Sequence, residues 1–142
     1  MKRKKKELTP AALDKRLWPE FSAYIRRRDA DEGGTVSCIS CGVLKFWKEG
    51  DCGHYLSRNY GPIKYDEMNN HFQCKPCNGF FEGVKDDYRK ALIKRYGEEA
   101  VLDLEARKIN PLFKKNRTDL LELIEKYKKL NAELDKRLPR KG

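Results

Sequence analysis

No apolar run in this sequence approaches the roughly 18 residues that span a bilayer, so no membrane-crossing helix is expected. Its basic start, MKRKKKELTPAALDK, has no apolar segment behind it and does not read as a secretory signal. Apolar material is scarce, at 39% of 142 residues against 38% charged, which is thin for one domain and favours a staple such as a metal. Acid is short as well: 22 Asp and Glu face 32 Lys and Arg, a formal net charge of +10. That surplus fits a polyanionic partner, since phosphate contacts dominate nucleic-acid affinity, although a ribosomal or membrane-surface protein would share it. An even cysteine count is also missing. The five cysteines, in a chain without a secretory signal, lose the usual setting for disulfides. These absences point to a cytoplasmic chain with metal-binding cysteines.

What is present begins with two knuckles, Cys38-x2-Cys41 and Cys74-x2-Cys77, separated by 32 residues. Each C-x2-C turn presents two sulfurs to one tetrahedral zinc, and two turns complete the sphere. The spacer is longer than a compact zinc ribbon needs, so it must carry structure of its own. Cys52, the fifth, reads as a small buried hydrophobe.

Four regions follow from composition and punctuation: a basic flexible arm over 1–8, a zinc domain with flanking helices over 9–108, a helix over 117–138, and a basic tail over 139–142. Thr9-Pro10 opens a helix that Trp18-Pro19 is expected to interrupt, and a second helix runs from Pro19 to Ala30. Arg26, Arg27 and Arg28 at its end suit the helix dipole or a phosphate contact. Thr35 to Tyr55 reads as short strands around the first knuckle, and 57–66 as a loop. Helices are expected over 86–96, stopped by Gly97, and over 98–108. Thr118 is read as the cap of the last helix, where Leu120, Ile124, Tyr127, Asn131, Leu134 and Leu138 form a stripe. Such a stripe serves either a homodimer seam with Asn131 fixing register, or a face that covers the chain's own core.

Between and beside the knuckles lie Gly53-His54-Tyr55, Asn69 and Asn78, the order of an HNH nuclease site. The strings CISCG, GHYLSR, DEMNNHFQCKPCN and EGVKDDYRKALIKRYG resemble the phage NinG (Rap) recombination endonuclease family over about Phe21 to Leu104. The four-cysteine site and the Cys-Asn pair are also similar to endonuclease VII. The resemblance implies an α+β fold: a small ββα-metal, HNH-like, zinc-stapled core with flanking α-helices. It further implies a DNA endonuclease cutting branched DNA, including Holliday junctions and D-loops, in the cytoplasm of a bacterial host; a non-catalytic zinc-knuckle DNA-binding module and a nonspecific or homing-type HNH nuclease are the alternatives. On this pattern His54 matches the general base, Asn69 the central asparagine that supports the loop or orients the base, and Asn78 the ligand of a catalytic Mg2+ or Mn2+.

The chemistry is coherent on its own terms. Neutral imidazole can take a proton from water near pH 7, a cation neutralises phosphoryl charge, and an amide oxygen is a hard ligand for it. Arg58 could clamp the scissile phosphate. Arg26, Arg27, Arg28, Arg58, Lys64, Lys75 and Lys85 are the expected DNA contacts, with Tyr55, Tyr60, Tyr65, Phe72, Phe80 and Phe81 interleaved as stacking surfaces or core. The clusters at 2–6 and 136–141 are further phosphate contacts or solvated tails. One departure stands out: many HNH proteins carry a metal-binding aspartate immediately before the base, and here that residue is Gly53. Either Asn78 is the sole protein ligand or a nearby group substitutes, with Asp51, His71 and Glu82 as candidates; His71 also reads as a core histidine supporting the zinc site.

Overall fold

A computed structural model describes residues 7–79 and 81–140, with the side chains of 81–83 outside it. The basic arm at 2–6, Phe80, and the side chains of Phe81 and Glu82 therefore lie outside the described residues. The fold is mixed α+β with two small sheets. Helix α1 (Pro10–Arg28) leads into a hairpin of β1 (Thr35–Ser37) and β2 (Leu44–Phe46). Strand β3 (Gly50–His54) pairs antiparallel with β4 (Asn70–Cys74), and α2 (Lys75–Gly79) follows directly. Helices α3 (Phe81–Tyr96), α4 (Glu98–Ala106) and α5 (Arg117–Asp135) complete the chain. Among the described residues no helix is long and apolar enough to cross a membrane.

The expected break at Trp18-Pro19 does not occur: α1 is one helix with Pro19 inside it. An interior proline costs about 3 kcal/mol. Against that, Leu13, Leu17, Phe21 and Ile25 form one buried stripe running through it, and each such side chain is worth roughly 1.5–3 kcal/mol on burial. The stripe wins. Thr9 caps the helix as expected, its hydroxyl accepting from the Ala12 amide at 3.2 Å. Gly97 also behaves as read, with φ at +95° between α3 and α4.

The last helix is capped by Asn116, not Thr118. The Asn116 side chain and the Asp119 carboxylate each accept the other residue's backbone N–H, at 2.9 and 3.1 Å. Its stripe is an internal face, because Leu120, Ile124 and Tyr127 pack against Leu13, Leu17, Phe21 and Ile25 of α1. Asn131 is fully buried between the two helices, bonded to Arg27 and Glu20. The seam offered for a homodimer is therefore occupied within one chain. The tail is tied down as well, since Arg140 pairs with Asp135 and Glu20.

A second cluster (Tyr55, Ile63, Tyr88, Leu92, Val101 and Leu104) anchors the 55–69 connection to α3 and α4. Tyr55, Tyr65 and Phe72 are core residues, not stacking surfaces. His71 is buried too, its Nε2 2.8 Å from the Tyr96 hydroxyl, and burial holds its pKa down to about 3. The unfolded chain, with an ordinary histidine near 6.5, therefore takes up this proton first. The resulting stability is full above pH 6.5 and is lost as pH falls toward 3, at up to about 1.4 kcal/mol per pH unit. Urea unfolding at saturating zinc is expected to show His71→Gln losing roughly 2 kcal/mol less than the parent between pH 6.5 and 5. Equal losses would show that His71 does not carry the effect.

Candidate active site and metal centre

The two knuckles meet. Cys38 and Cys41 lie in the turn between β1 and β2, Cys74 ends β4, and Cys77 sits in α2. All four sulfurs lie within 4.8 Å of one another. The sulfurs of Cys41 and Cys74 are 3.8 Å apart, which is the edge of a tetrahedron with zinc–sulfur arms of about 2.3 Å. Gly42, at φ +79°, lets the first knuckle turn so that its amide bonds the Cys38 carbonyl. These residues are placed to bind a metal ion, and four thiolates with no water position fit a structural zinc. Cys52 is not among them; it is buried on β3 against the α1 and α5 core, its thiol pushed up to about 12 by burial.

His54 ends β3, and its ring nitrogen Nδ1 lies 2.6 Å from Oδ1 of Asn70, its direct partner across the β3–β4 ladder. The Asn70 amide is oriented independently: its Nδ2 donates to the Lys64 and Asp66 carbonyls at 3.1 and 2.7 Å. Only Oδ1 is then left for the ring, so Nδ1 carries the hydrogen and Nε2 carries the lone pair. Arg28 secures this arrangement from α1, donating to the carbonyls of Asn70 and Glu67 at 3.0 Å each. Trp18 lies against the imidazole at 5.1 Å between ring centroids. Burial lowers the His54 pKa; the Asn70 bond opposes this, and the charges of Arg58 and Lys64 reinforce it. The ring is thus neutral at pH 7.

Asn69 serves the loop. It is fully buried, accepts from the Leu56 amide at 2.8 Å and donates to the Leu56 and Ile63 carbonyls. The supporting role expected of Asn69 is therefore shared: Asn69 braces the 55–63 segment, and Asn70 orients the histidine. Asn78 is exposed in α2, where its Nδ2 donates to Asp51 at 3.1 Å. One cleft of about 580 Å3 gathers His54, Asn78, Asp51, Trp18 and the cations Arg26, Lys48, Arg58 and Lys75.

The other expected DNA contacts lie elsewhere. Arg27 is fully buried and spent on Asp135, Asn131 and the Leu138 carbonyl, so it cannot reach a phosphate. Arg28 is committed to the carbonyls of Glu67 and Asn70. Lys64 pairs with Asp14 at 2.6 Å beside a separate small pocket, and Lys85, exposed on α3, does not line the cleft. Lys48 and Asn70 were not singled out from the sequence. Lys48 sits in a stretch of mixed charge, beside Glu49 and Asp51; Asn70 gains its role only from the β3–β4 register.

A family model described as "Bacteriophage Lambda NinG protein" matches residues 1–137. The chain belongs to the NinG family. It is similar to Protein ninG of Escherichia phage 933W, 42% identical over 86 residues. The same-named proteins of Escherichia phage lambda and Salmonella phage P22 are each 41% identical over 86 residues. Each match covers 60% of this chain and 40% of the relative's length. No solved structure matches. The NinG family membership and the four-cysteine centre thus rest on independent grounds, one on sequence and one on geometry.

Proposed function

We propose that this NinG-family chain is a metal-dependent endonuclease that hydrolyses phosphodiester bonds in branched DNA, including Holliday junctions and D-loops, in the host cytoplasm. The observation that carries this reading is His54 with Nδ1 held by Asn70, in a cleft ringed by four cations. A neutral imidazole whose Nε2 carries the lone pair, on a residue that lines the cleft, can take the proton of an attacking water. Arg26, Lys48, Arg58 and Lys75 can hold the backbone phosphates, with Arg58 close enough in field to affect His54. The amide oxygen of Asn78 and nearby carboxylate chemistry fit a hard divalent cation, Mg2+ or Mn2+. Such an ion supplies charge neutralisation at the phosphoryl oxygens. The strand–strand–helix order of β3, β4 and α2, with His54 and Asn78 on its first and last parts, supports the HNH-like reading. Preference for branched DNA is drawn from the family resemblance.

The test is cleavage of linear, flap and four-way DNA with added Mg2+ or Mn2+. Loss of a general base removes about 100- to 10,000-fold in rate, so His54→Ala is expected to cut at least ~100-fold more slowly while retaining its zinc and DNA affinity. Cutting by His54→Ala near the parental rate would overturn the assignment of the base. DNA binding without cutting by the parent would point to a zinc-knuckle DNA-binding module, which the cation-lined cleft also suits.

A further inference from the structure

Position 53, where HNH sites often place an aspartate before the base, is crowded by a neighbouring side chain. A Cβ built on Gly53 would lie 2.0 Å from Oε1 and 2.8 Å from Cβ of Gln73. Gln73, whose Nε2 donates to Ser40 of the first knuckle at 2.8 Å, fills that space from β4. The strand pleat repeats every two residues, so Asp51 leaves β3 on the same side as position 53. Asp51 lines the cleft with His54 and Asn78. Of the other candidates, His71 is buried against Tyr88 and Tyr96, on residues that do not line the cleft.

We propose that Asp51 supplies the carboxylate ligand of the divalent cation, with Asn78 as its neighbour and Lys75 as the cation's competitor. This rests on the nuclease reading above. Two observations carry it. First, Asn78 Nδ2 lies 3.1 Å from Asp51 Oδ2. Half a turn of the amide about its Cβ–Cγ bond exchanges nitrogen for oxygen and puts two oxygens at that separation. Octahedral Mg2+ with arms of about 2.0–2.1 Å sets adjacent ligand oxygens about 3 Å apart. Second, the other Asp51 oxygen holds the Lys75 ammonium at 3.0 Å. A positive group already stands where the cation would. The Lys75 side chain is 66% exposed, so it can swing into water when a divalent ion arrives.

Competition gives the proposal a sign that a merely structural Asp51 would not share. The experiment is Mn2+ titration of the zinc-loaded full-length protein, read by electron paramagnetic resonance of the free ion. Asp51→Asn and Asn78→Ala are each expected to weaken Mn2+ binding at least ~10-fold. Lys75→Met is expected to tighten it several-fold, because the rival charge is gone. Zinc content and melting curves checked alongside should match the parent. Unchanged Mn2+ affinity in Asp51→Asn, weaker binding in Lys75→Met, or no Mn2+ uptake by the parent would each overturn the assignment. Cleavage separates this outcome from that of the nuclease reading. Metal-dependent cutting that survives intact in Asp51→Asn removes Asp51 and leaves the reading. A parent that never cuts, yet loses Mn2+ with Asp51→Asn, leaves the ion site and removes the reading.

Discussion

Stripping zinc from this protein is expected to abolish its cooperative unfolding transition and its cleft together. The binding energy of structural zinc in zinc-finger peptides is about 10–16 kcal/mol at pH 7, as large as or larger than the whole stability of many domains. Here the ion would join two short elements, the hairpin being otherwise anchored through Val36 in a small cluster with Trp47 and Phe72. The β1–β2 hairpin has three residues per strand, and its second strand is exposed throughout. Helix α2 has five residues and none of them is buried. Yet α2 carries Lys75 and Asn78, and β4 positions Asn70. The zinc cysteines do not line the cleft, but they set the start of α2 against the start of β3, where Cys74 pairs with Gly50. The parent should therefore contain one zinc per chain. Chelation, or Cys38→Ser or Cys74→Ser at the two most buried ligands, should remove the thermal transition. Cys41→His should retain zinc, because imidazole also ligates it and residue 41 is exposed, with room for the larger ring. A chelated protein that melts at the parental temperature would show that the cluster is not a structural staple.

The residues that carry this centre were legible because their chemistry is written in local spacing. Two C-x2-C turns announce a metal whatever lies between them, and His54 and Asn78 are fixed relative to those turns. Pairing across strands is another matter. Asn69 and Asn70 are adjacent and identical in type, so only the β3–β4 register, with His54 opposite Asn70, decides which one touches the imidazole. The reason for Gly53 was hidden in the same way, in a side chain 20 residues on that occupies its space. Helix boundaries suffered from reading local rules without their tertiary opponents. Pro19 is a helix breaker until a buried stripe on both sides of it outweighs the lost hydrogen bond. The stripe of α5 is the inverse case: its heptad spacing is real, but its partner is α1 of the same chain.

Arg26 and Arg27 are neighbours in sequence, and their substitution is expected to give opposite phenotypes. The Arg27 guanidinium donates to Asp135 and the Leu138 carbonyl at 2.6 Å and to Asn131 at 2.7 Å, and lies over the Trp47 ring at 5.3 Å. It joins the C-terminal end of α1 to that of α5. Asp135 is 33% exposed and keeps Arg140, so the loss comes from the buried Leu138 carbonyl and Asn131 left without a donor and from the cavity, about 2–5 kcal/mol together. Arg27→Ala should lose that much in urea unfolding. Arg27→Lys should recover little of it, because a single ammonium cannot reach three acceptors held by a planar fork. The DNA affinity of the folded fraction, and its dependence on salt, should not change. Arg26, one residue earlier, lines the cation-rich cleft and lies 5.1 Å from the Trp47 ring centroid. Arg26→Ala should cost little stability, weaken DNA binding for every sequence alike, and reduce the slope of log affinity against log salt by about one. If Arg27→Ala, still folded, lowered that slope while Arg26→Ala left it alone, the two arginines would have been assigned the wrong way round.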